Sequence, residues 1–354
     1  MKTNRFALLA ILSLLGAASA GAETGFFPTG VIEMIPTSMS DDASIVVGTG
    51  FFGAPNLYYT EASGASVIGD GCSSGLPAIS GDGTTVVGCN VNSDGKDNAA
   101  KWLGGTSWLD LGTVEGGVSC DTSLSGSYGI DHDGALAVGL VYLPKICKAG
   151  AGTWDLINGG PATALPAEFG DTTYSRANAV NDDGSVIVGW QDQLNGERTA
   201  AKWVDGVEEI ILTPDGGFNG EAQGVSADGQ TIVGGGYNFG RGAWIWQAGT
   251  GVRSIGARNG DGRFTALDVS DDGKVVVGFI RRLRFGFPTQ RGAFIWNEGE
   301  GATALDVFLS KRGAVVPPGW KLTVAPTISA DGRTIYGWGF NPDGLVEMFK
   351  VTLD

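Results

Sequence analysis

Very few residues of this chain carry the side chains that nucleophilic or general acid/base chemistry needs. There is one histidine, His132, in 354 residues. It stands in Asp131-His132-Asp133-Gly134, and Asp-Gly between apolar runs is a strong signal for a tight hairpin turn. A catalytic histidine needs a cleft and a partner group, so His132 is expected on a hairpin tip, without that role. Neither a Gly-x-Ser-x-Gly elbow nor a phosphate-binding loop occurs. Asp-x-Asp-Gly resembles the opening of a calcium loop, but the twelve-residue spacing and closing Glu are missing. No metal and no cofactor is therefore expected. What remains for catalysis is carboxylates: two suffice for glycosidase chemistry, and many Asp and Glu lie between the apolar runs. A pair facing one another in a channel is the enzyme alternative, a carbohydrate-active hydrolase or lyase.

The elements that would position such groups are short strands. Gly is very abundant, with 60 residues, and charged residues make up only 17 %, a balance that suits many strands and tight turns. The net charge of −15 argues against nucleic acid or an anionic lipid surface, which require clustered Lys and Arg. The chain starts Met1-Lys2-Thr3-Asn4-Arg5 and continues into an apolar run from Phe6 to Ala18, with small-x-small patterns at Ala18-Ser19-Ala20 and Ala20-Gly21-Ala22. This predicts a signal peptide over residues 1–22, a single domain over 23–354 and a secreted or periplasmic protein. No later apolar run is long enough to span a bilayer. Four cysteines follow the leader, Cys72, Cys89, Cys120 and Cys147, and an even count in an oxidising compartment reads as two disulfides.

Repetition dominates the sequence. Seven segments align: SDDASIVVG ending at Gly48, SGDGTTVVG at Gly88, DHDGALAVG at Gly139, NDDGSVIVG at Gly189, SADGQTIVG at Gly234, SDDGKVVVG at Gly278 and SADGRTIYG at Gly337. The closing glycines are 40, 51, 50, 45, 44 and 59 residues apart, around the blade length of propeller repeats. An apolar strand precedes each turn and another follows it. A third strand carries an aromatic, as in Ala201-Lys202-Trp203, and a fourth follows, as in Val207-Glu208-Glu209-Ile210. Four strands per period make a propeller blade, so the fold class is all-β, a seven-bladed β-propeller. Glu347–Val351 is a third strand with no fourth after it, and the apolar stretch ending Val31–Ile35 is a fourth strand without a blade. The N-terminal strand is therefore expected to close the last blade, which removes an exposed sheet edge. Leu305–Gly313 has helical spacing and predicts one short helix.

The Ser-x-Asp-Gly-x-x-x-Val-Gly units followed by Ala-x-x-Trp resemble the HAF family of bacterial extracellular repeats. The C-terminal stretch carries the likeness furthest: Gly319-Trp320-Lys321-Leu322-Thr323, Ile328 to Ile335, Gly337, Asn341-Pro342 and Gly344. The resemblance spans nearly the whole chain after the leader and implies an extracytoplasmic propeller-like protein. It implies no catalytic residues.

Hairpin arithmetic pairs the cysteines. Residues facing each other across a hairpin have a constant sum of position numbers; Cys120 with Cys147 matches the sum set by Asp133-Gly134, and Cys72 with Cys89 falls four short of that set by Asp82-Gly83, an offset a bulge can absorb. The third-strand aromatics Trp102, Trp154, Trp203, Trp246, Trp296 and Phe349 recur once per blade, as inter-blade packing requires. Other aromatics gather just after the closing glycines, on the face opposite the Asp-Gly turns, where loop length varies. Function tends to reside in variable loops on a rigid scaffold. The candidate binding residues are therefore Trp190, Trp338, Phe279, Phe51, Phe52 and Tyr237. Arg281, Arg282 and Arg284 form a basic stretch in an acidic protein, either a solvated loop or a patch for an acidic partner. The leading expectation is a monomeric binding or scaffold module with a glycan or protein ligand; a purely structural surface protein is the third class.

Overall fold

The computed structural model describes residues 23–52, 55–117, 123–144, 147–236, 242–256, 262–284 and 287–354. The leader expected over residues 1–22 lies outside them. Seven four-stranded antiparallel sheets form a seven-bladed β-propeller. The chain enters with β1 (Gly25–Ile32). Blade one is β2 (Met34–Met39), β3 (Val46–Gly50), β4 (Asn56–Thr60) and β5 (Gly64–Gly69). Blade two is β6 (Ala78–Ile79), β7 (Val86–Val91), β8 (Asp97–Gly104) and β9 (Ser107–Asp110). Blade three is β10 (Ser125–Ile130), β11 (Leu136–Tyr142), β12 (Ala149–Asp155) and β13 (Thr163–Ala164). Blade four is β14 (Ser175–Val180), β15 (Val186–Asp192), β16 (Arg198–Val204) and β17 (Val207–Ile210). Blade five is β18 (Glu221–Val225), β19 (Thr231–Gly235), β20 (Ala243–Gln247) and β21 (Gly251–Ser254). Blade six is β22 (Gly262–Val269), β23 (Val275–Arg284), β24 (Phe287–Asn297) and β25 (Gly301–Ala304). The expected short helix follows as α1 (Leu305–Lys311), burying Leu305, Phe308 and Leu309. Blade seven is β26 (Lys321–Ile328), β27 (Thr334–Phe340) and β28 (Val346–Thr352), closed by β1.

The N-terminal strand closes the ring, but its bounds differ from those expected. Residues 25–32 pair with β28, Phe26 facing Val351 and Pro28 facing Phe349. Met34 and Ile35 already belong to the innermost strand of blade one. The chain switches sheets at Glu33, whose φ of 64° makes the sharp turn between two strands that hydrophobic pattern alone reads as one.

Each repeat motif explains itself locally. In blade five Ser226 Oγ donates to Asp228 Oδ1 (2.7 Å) and accepts the Thr231 N–H (2.9 Å), while Asp228 Oδ1 accepts the Gln230 N–H (2.9 Å). Ser40, Ser80, Ser270 and Ser329 make the same pair of bonds, and Asn181 substitutes in blade four. Blade three uses Asp131, which accepts the Ala135 and Leu136 N–H groups at 2.8 and 2.9 Å. Blade one lacks the turn glycine, and Ala43 there adopts φ 56°.

The closing glycine has a different reason. The first strand of most blades carries a β-bulge, as between Ala177 and Ala179 opposite Gly189. The bulge swings a carbonyl over the second strand, and a Cβ on Gly189 would sit far inside contact distance of the Arg176 carbonyl oxygen. Gly48, Gly139, Gly234 and Gly278 meet the carbonyls of Ile35, Gly126, Glu221 and Thr265 in the same way. Between blades, third-strand aromatics fill the seams: Trp203 packs with Ile187 and Ala201 on Val138 and Ala151 of blade three. Trp154, Trp203, Trp296 and Phe349 are buried, whereas Trp102 and Trp246 are half-buried.

Candidate functional site: an axial ring and a loop face

The turns do more than reverse the chain. Backbone bonds link neighbouring turns at six of the seven steps around the axis: Asp41 N to Gly81 O (2.9 Å), Asp82 N to His132 O (2.9 Å), His132 N to Asp182 O (3.3 Å), Asp182 N to Ala227 O (3.4 Å), Asp271 N to Ala330 O (3.0 Å) and Ala330 N to Asp41 O (3.2 Å). The second residues of six motifs, Asp41, Gly81, His132, Asp182, Asp271 and Ala330, thereby line the mouth of the central channel. The channel holds a cavity of about 200 Å³ lined by first strands of all seven blades, with Asp41, His132, Asp182, Asp268 and Asp271 in its wall.

His132 is thus at a hairpin tip, as expected, yet the tip faces the axis and the ring has a partner. Its Nδ1 lies 2.8 Å from Asp41 Oδ2. The two come from blades one and three and meet across blade two, whose corresponding residue is Gly81. A Cβ there would lie 2.6 Å from Asp41 Oδ1 and closer still to His132 Nδ1. Burial pulls the imidazole pKa down, but the bond to Asp41 and the charges of Asp41, Asp182 and Asp82 outweigh it and hold the pKa above its usual value. Burial, with the charges of Asp182, Asp41 and Asp268 added, pushes Asp271 up to about 6. Burial and then Asp41 raise Asp182. Burial also lifts Asp268 to about 6, against the N–H groups of Ile328 and Val269, each at 2.9 Å. Three carboxylates and an imidazole, all with raised pKa, thus line one axis, an arrangement suited to holding positive charge or to passing a proton.

Among the described residues, one group of at least three Cys, His, Asp or Glu residues has donor atoms within 4.8 Å of one another: Cys72, Cys89 and Asp97. The two sulfurs are joined in the expected Cys72–Cys89 disulfide, with Cα atoms 5.5 Å apart, so no thiolate remains to ligate a metal. Asp97 Oδ2 accepts bonds from Ser73 Oγ (2.8 Å) and Ser74 Oγ (2.9 Å). Cys147 is disulfide-bonded; its expected partner, Cys120, lies outside the described residues.

On the opposite face the structure separates the aromatics that sequence grouped. Phe52 is 91 % exposed and Phe51 is 39 % exposed. Phe51 packs edge-on against Phe52 (5.2 Å) and Trp338 (5.8 Å), and Trp338 packs against Phe340 (6.3 Å). Phe279 joins Trp338 in the same cluster at blades six, seven and one. Phe279 and Trp338 are themselves buried. Arg281, Arg282 and Arg284 lie on β23, where the blade-six hairpin continues as strand in place of a loop; Arg281 is half-buried. Tyr237 lies outside the described residues.

Trp190 belongs elsewhere, in the seam between blades four and five. The Arg198 guanidinium lies 3.4 Å from its ring centre and that of Arg176 5.5 Å. Arg198 pairs with Asp192 (3.0 Å) and Glu221 (2.6 Å), and Arg176 reaches Glu221 (3.5 Å) while covering the Tyr128 ring at 4.3 Å. Sequence reading missed Arg176, Arg198 and Glu221, because their meeting depends on which strand ends face each other across a seam. Trp190 is 7 % exposed, and its Nε1 has no hydrogen-bond partner among the described residues; nor has Asn219 Nδ2, in a residue 1 % exposed. A buried donor left unpaired costs roughly 1–3 kcal/mol.

No family model and no curated protein matches the sequence. Solved structures share the fold. Oligogalacturonate lyase from Vibrio parahaemolyticus is 11 % identical with a TM-score of 0.57, over 94 % of this chain and 98 % of that one. The β-propeller domain of the Trilobed protease from Pyrococcus furiosus is 14 % identical with a TM-score of 0.55, over 90 % and 95 %. The chain also spans 62 % of the length of TolB from Acinetobacter baumannii, over 76 % of its own length, at 13 % identity and a TM-score of 0.47. At such identities the likeness concerns the propeller fold alone.

Proposed function

We propose that the protein is an exported binding or scaffold module that works through the loop face of its propeller, in keeping with the HAF-type repeats of its sequence. The observation that carries the reading is Phe52, 91 % exposed at the outer end of the Phe51–Trp338–Phe340 ladder. A large aromatic held in water by a rigid base suits capture of a protein partner, where such anchors dominate binding energy. The Cys72–Cys89 disulfide supports a secreted or periplasmic setting, and no helix among the described residues is long and apolar enough to cross a membrane.

The test combines photo-crosslinking in cells, from a photoreactive phenylalanine analogue at position 51 with Phe or Ser at position 52, with a glycan array of the purified wild-type and Phe51→Ser/Phe52→Ser proteins. A specific crosslinked species or bound glycan, lost in the variant at unchanged thermal midpoint, is expected. Identical patterns from both proteins would sink the reading and leave a purely structural role.

A second reading, a carbohydrate-active enzyme, is favoured by the axial carboxylates and His132 around the cavity. Turnover of a polysaccharide that His132→Gln and Asp182→Asn abolish would promote it.

A further inference from the structure

We propose that the seam between blades four and five is a binding site for a neutral, hydroxyl-rich saccharide. It is separate from the Phe51–Phe52 ladder and stands or falls independently of that reading.

The indole of Trp190 differs from its counterparts. Trp102, Trp108, Trp154, Trp203 and Trp244 each donate the ring N–H to a backbone carbonyl, at 3.0, 2.6, 3.1, 2.9 and 2.8 Å. Trp190 Nε1 is buried with no such acceptor among the described residues. The second unpaired donor belongs to the same seam. Ala200, the register partner of Trp190, donates its N–H to Asn219 Oδ1 at 3.4 Å. That bond fixes the amide with its oxygen used and its Nδ2 left over. Two donors nine-tenths buried and unsatisfied in one seam point to an acceptor that arrives from outside.

The charges define its chemistry. Arg176 and Arg198 are balanced by Asp192 and Glu221, so an anionic ligand would meet two carboxylates for every two guanidinium groups. A sugar hydroxyl both donates and accepts. It can take the indole and amide protons and return its own to the free lone pairs of Asp192 or Glu221 without bringing charge. Entry is past the arginines, whose side chains keep 35 % and 23 % exposure for Arg198 and Arg176. Trp190 therefore acts through its N–H edge; Arg198 covers one of its faces.

The experiment uses the full-length mature protein with maltotetraose, cellotetraose, mannotetraose and galactotetraose, and with tetragalacturonate as the charged comparison. Binding is read by calorimetry and by the indole N–H resonance of Trp190, assigned by its loss in Trp190→Phe. At least one neutral tetramer is expected to bind with Kd below about 1 mM, shifting that resonance. Trp190→Phe and Asn219→Ser should each weaken it about tenfold, Phe51→Ser/Phe52→Ser should not, and tetragalacturonate should bind at least tenfold more weakly. Should Trp190→Phe lower the thermal midpoint, Asn219→Ser with the wild-type resonance shift carries the test. The proposal is overturned if no neutral tetramer binds, if binding leaves the resonance unmoved, or if the indole N–H meets ordered water only.

Discussion

The two faces of this propeller are built on opposite principles. On the turn face six blades repeat one hydrogen-bonded motif, with Asp131 alone bonding the turn backbone in blade three, and neighbouring turns are stitched together by backbone bonds. On the loop face blades two, four and seven share a tight turn closed at Gly95, Gly196 and Gly344, but the side chains diverge: an aromatic ladder stands at blades seven and one, and a charged seam, with donors unpaired among the described residues, at blades four and five. Uniformity on one side holds the ring and frees the other side to vary. Within the turn face a finer contrast runs through single motifs. Asp183 is held below the usual carboxylate range by the hydroxyl and N–H of Ser185 and by Asn181, whereas burial and the Asp41 charge raise Asp182, one residue earlier. The third residue of the motif bonds its own turn; the residue before it faces other carboxylates around the axis.

The largest effect expected from this contrast is on stability. Ser226→Ala/Asp228→Ala removes three side-chain hydrogen bonds from the blade-five turn and should cost about 3 kcal/mol at about 1 kcal/mol each. Phe52→Ala on the loop face should change stability by less than about 0.5 kcal/mol. Urea unfolding of both variants checks the pair, and equal losses would break the division of labour.

Next comes the pH profile of stability. Asp271, at about 6, and Glu208, pushed by burial up to about 7, hold their protons more tightly folded than unfolded. They favour the fold in acid, and that advantage drains away as pH rises from the ordinary carboxylate range to those values. The raised His132 acts in the same sense, contributing below the ordinary histidine pKa and losing its contribution as pH climbs through its folded value. The lowered turn carboxylates, Asp42 and Asp183, act oppositely and are lost as pH falls through their folded values. Stability should therefore peak in mildly acidic solution, and Asp271→Asn should flatten the decline toward neutrality. A profile that rises steadily from about pH 5 to about pH 8 would show that the axial ring is not tuned as described.

The smallest effect is local. Gly81→Ala places a methyl group between Asp41 and His132, so the His132 pKa should fall toward its ordinary value, as followed by proton resonances of the imidazole. An unchanged titration would mean that the Asp41 contact does not set it.

The blade count, the disulfide of blade two, α1 and the closure of the ring were legible in the chain because each is a local pattern. A Ser-x-Asp-Gly turn satisfies its own backbone, and α1 places Leu305, Phe308 and Leu309 on one side. Even the bounds of the closing strand slipped only where Glu33 turns with positive φ inside an unbroken apolar run. The same local signal that marked the turns hid their other role. Position two of the motif reads as variable along the chain, holding Asp41, Gly81, His132, Asp182 or Asp271, and only the ring reveals that these residues face one another. Trp190 and Trp338 are equivalent by sequence because both follow a closing glycine. Arg176 and Arg198 reach Trp190 from neighbouring strands of its own blade, but only the packing of blade five brings Glu221 to both arginines, and only ring closure sets Trp338 against Phe51. Hairpins and turns are decided by bonds between residues a few positions apart, whereas a channel mouth or a seam joins residues tens of positions apart, and their approach is fixed only when the sheets pack and the ring shuts.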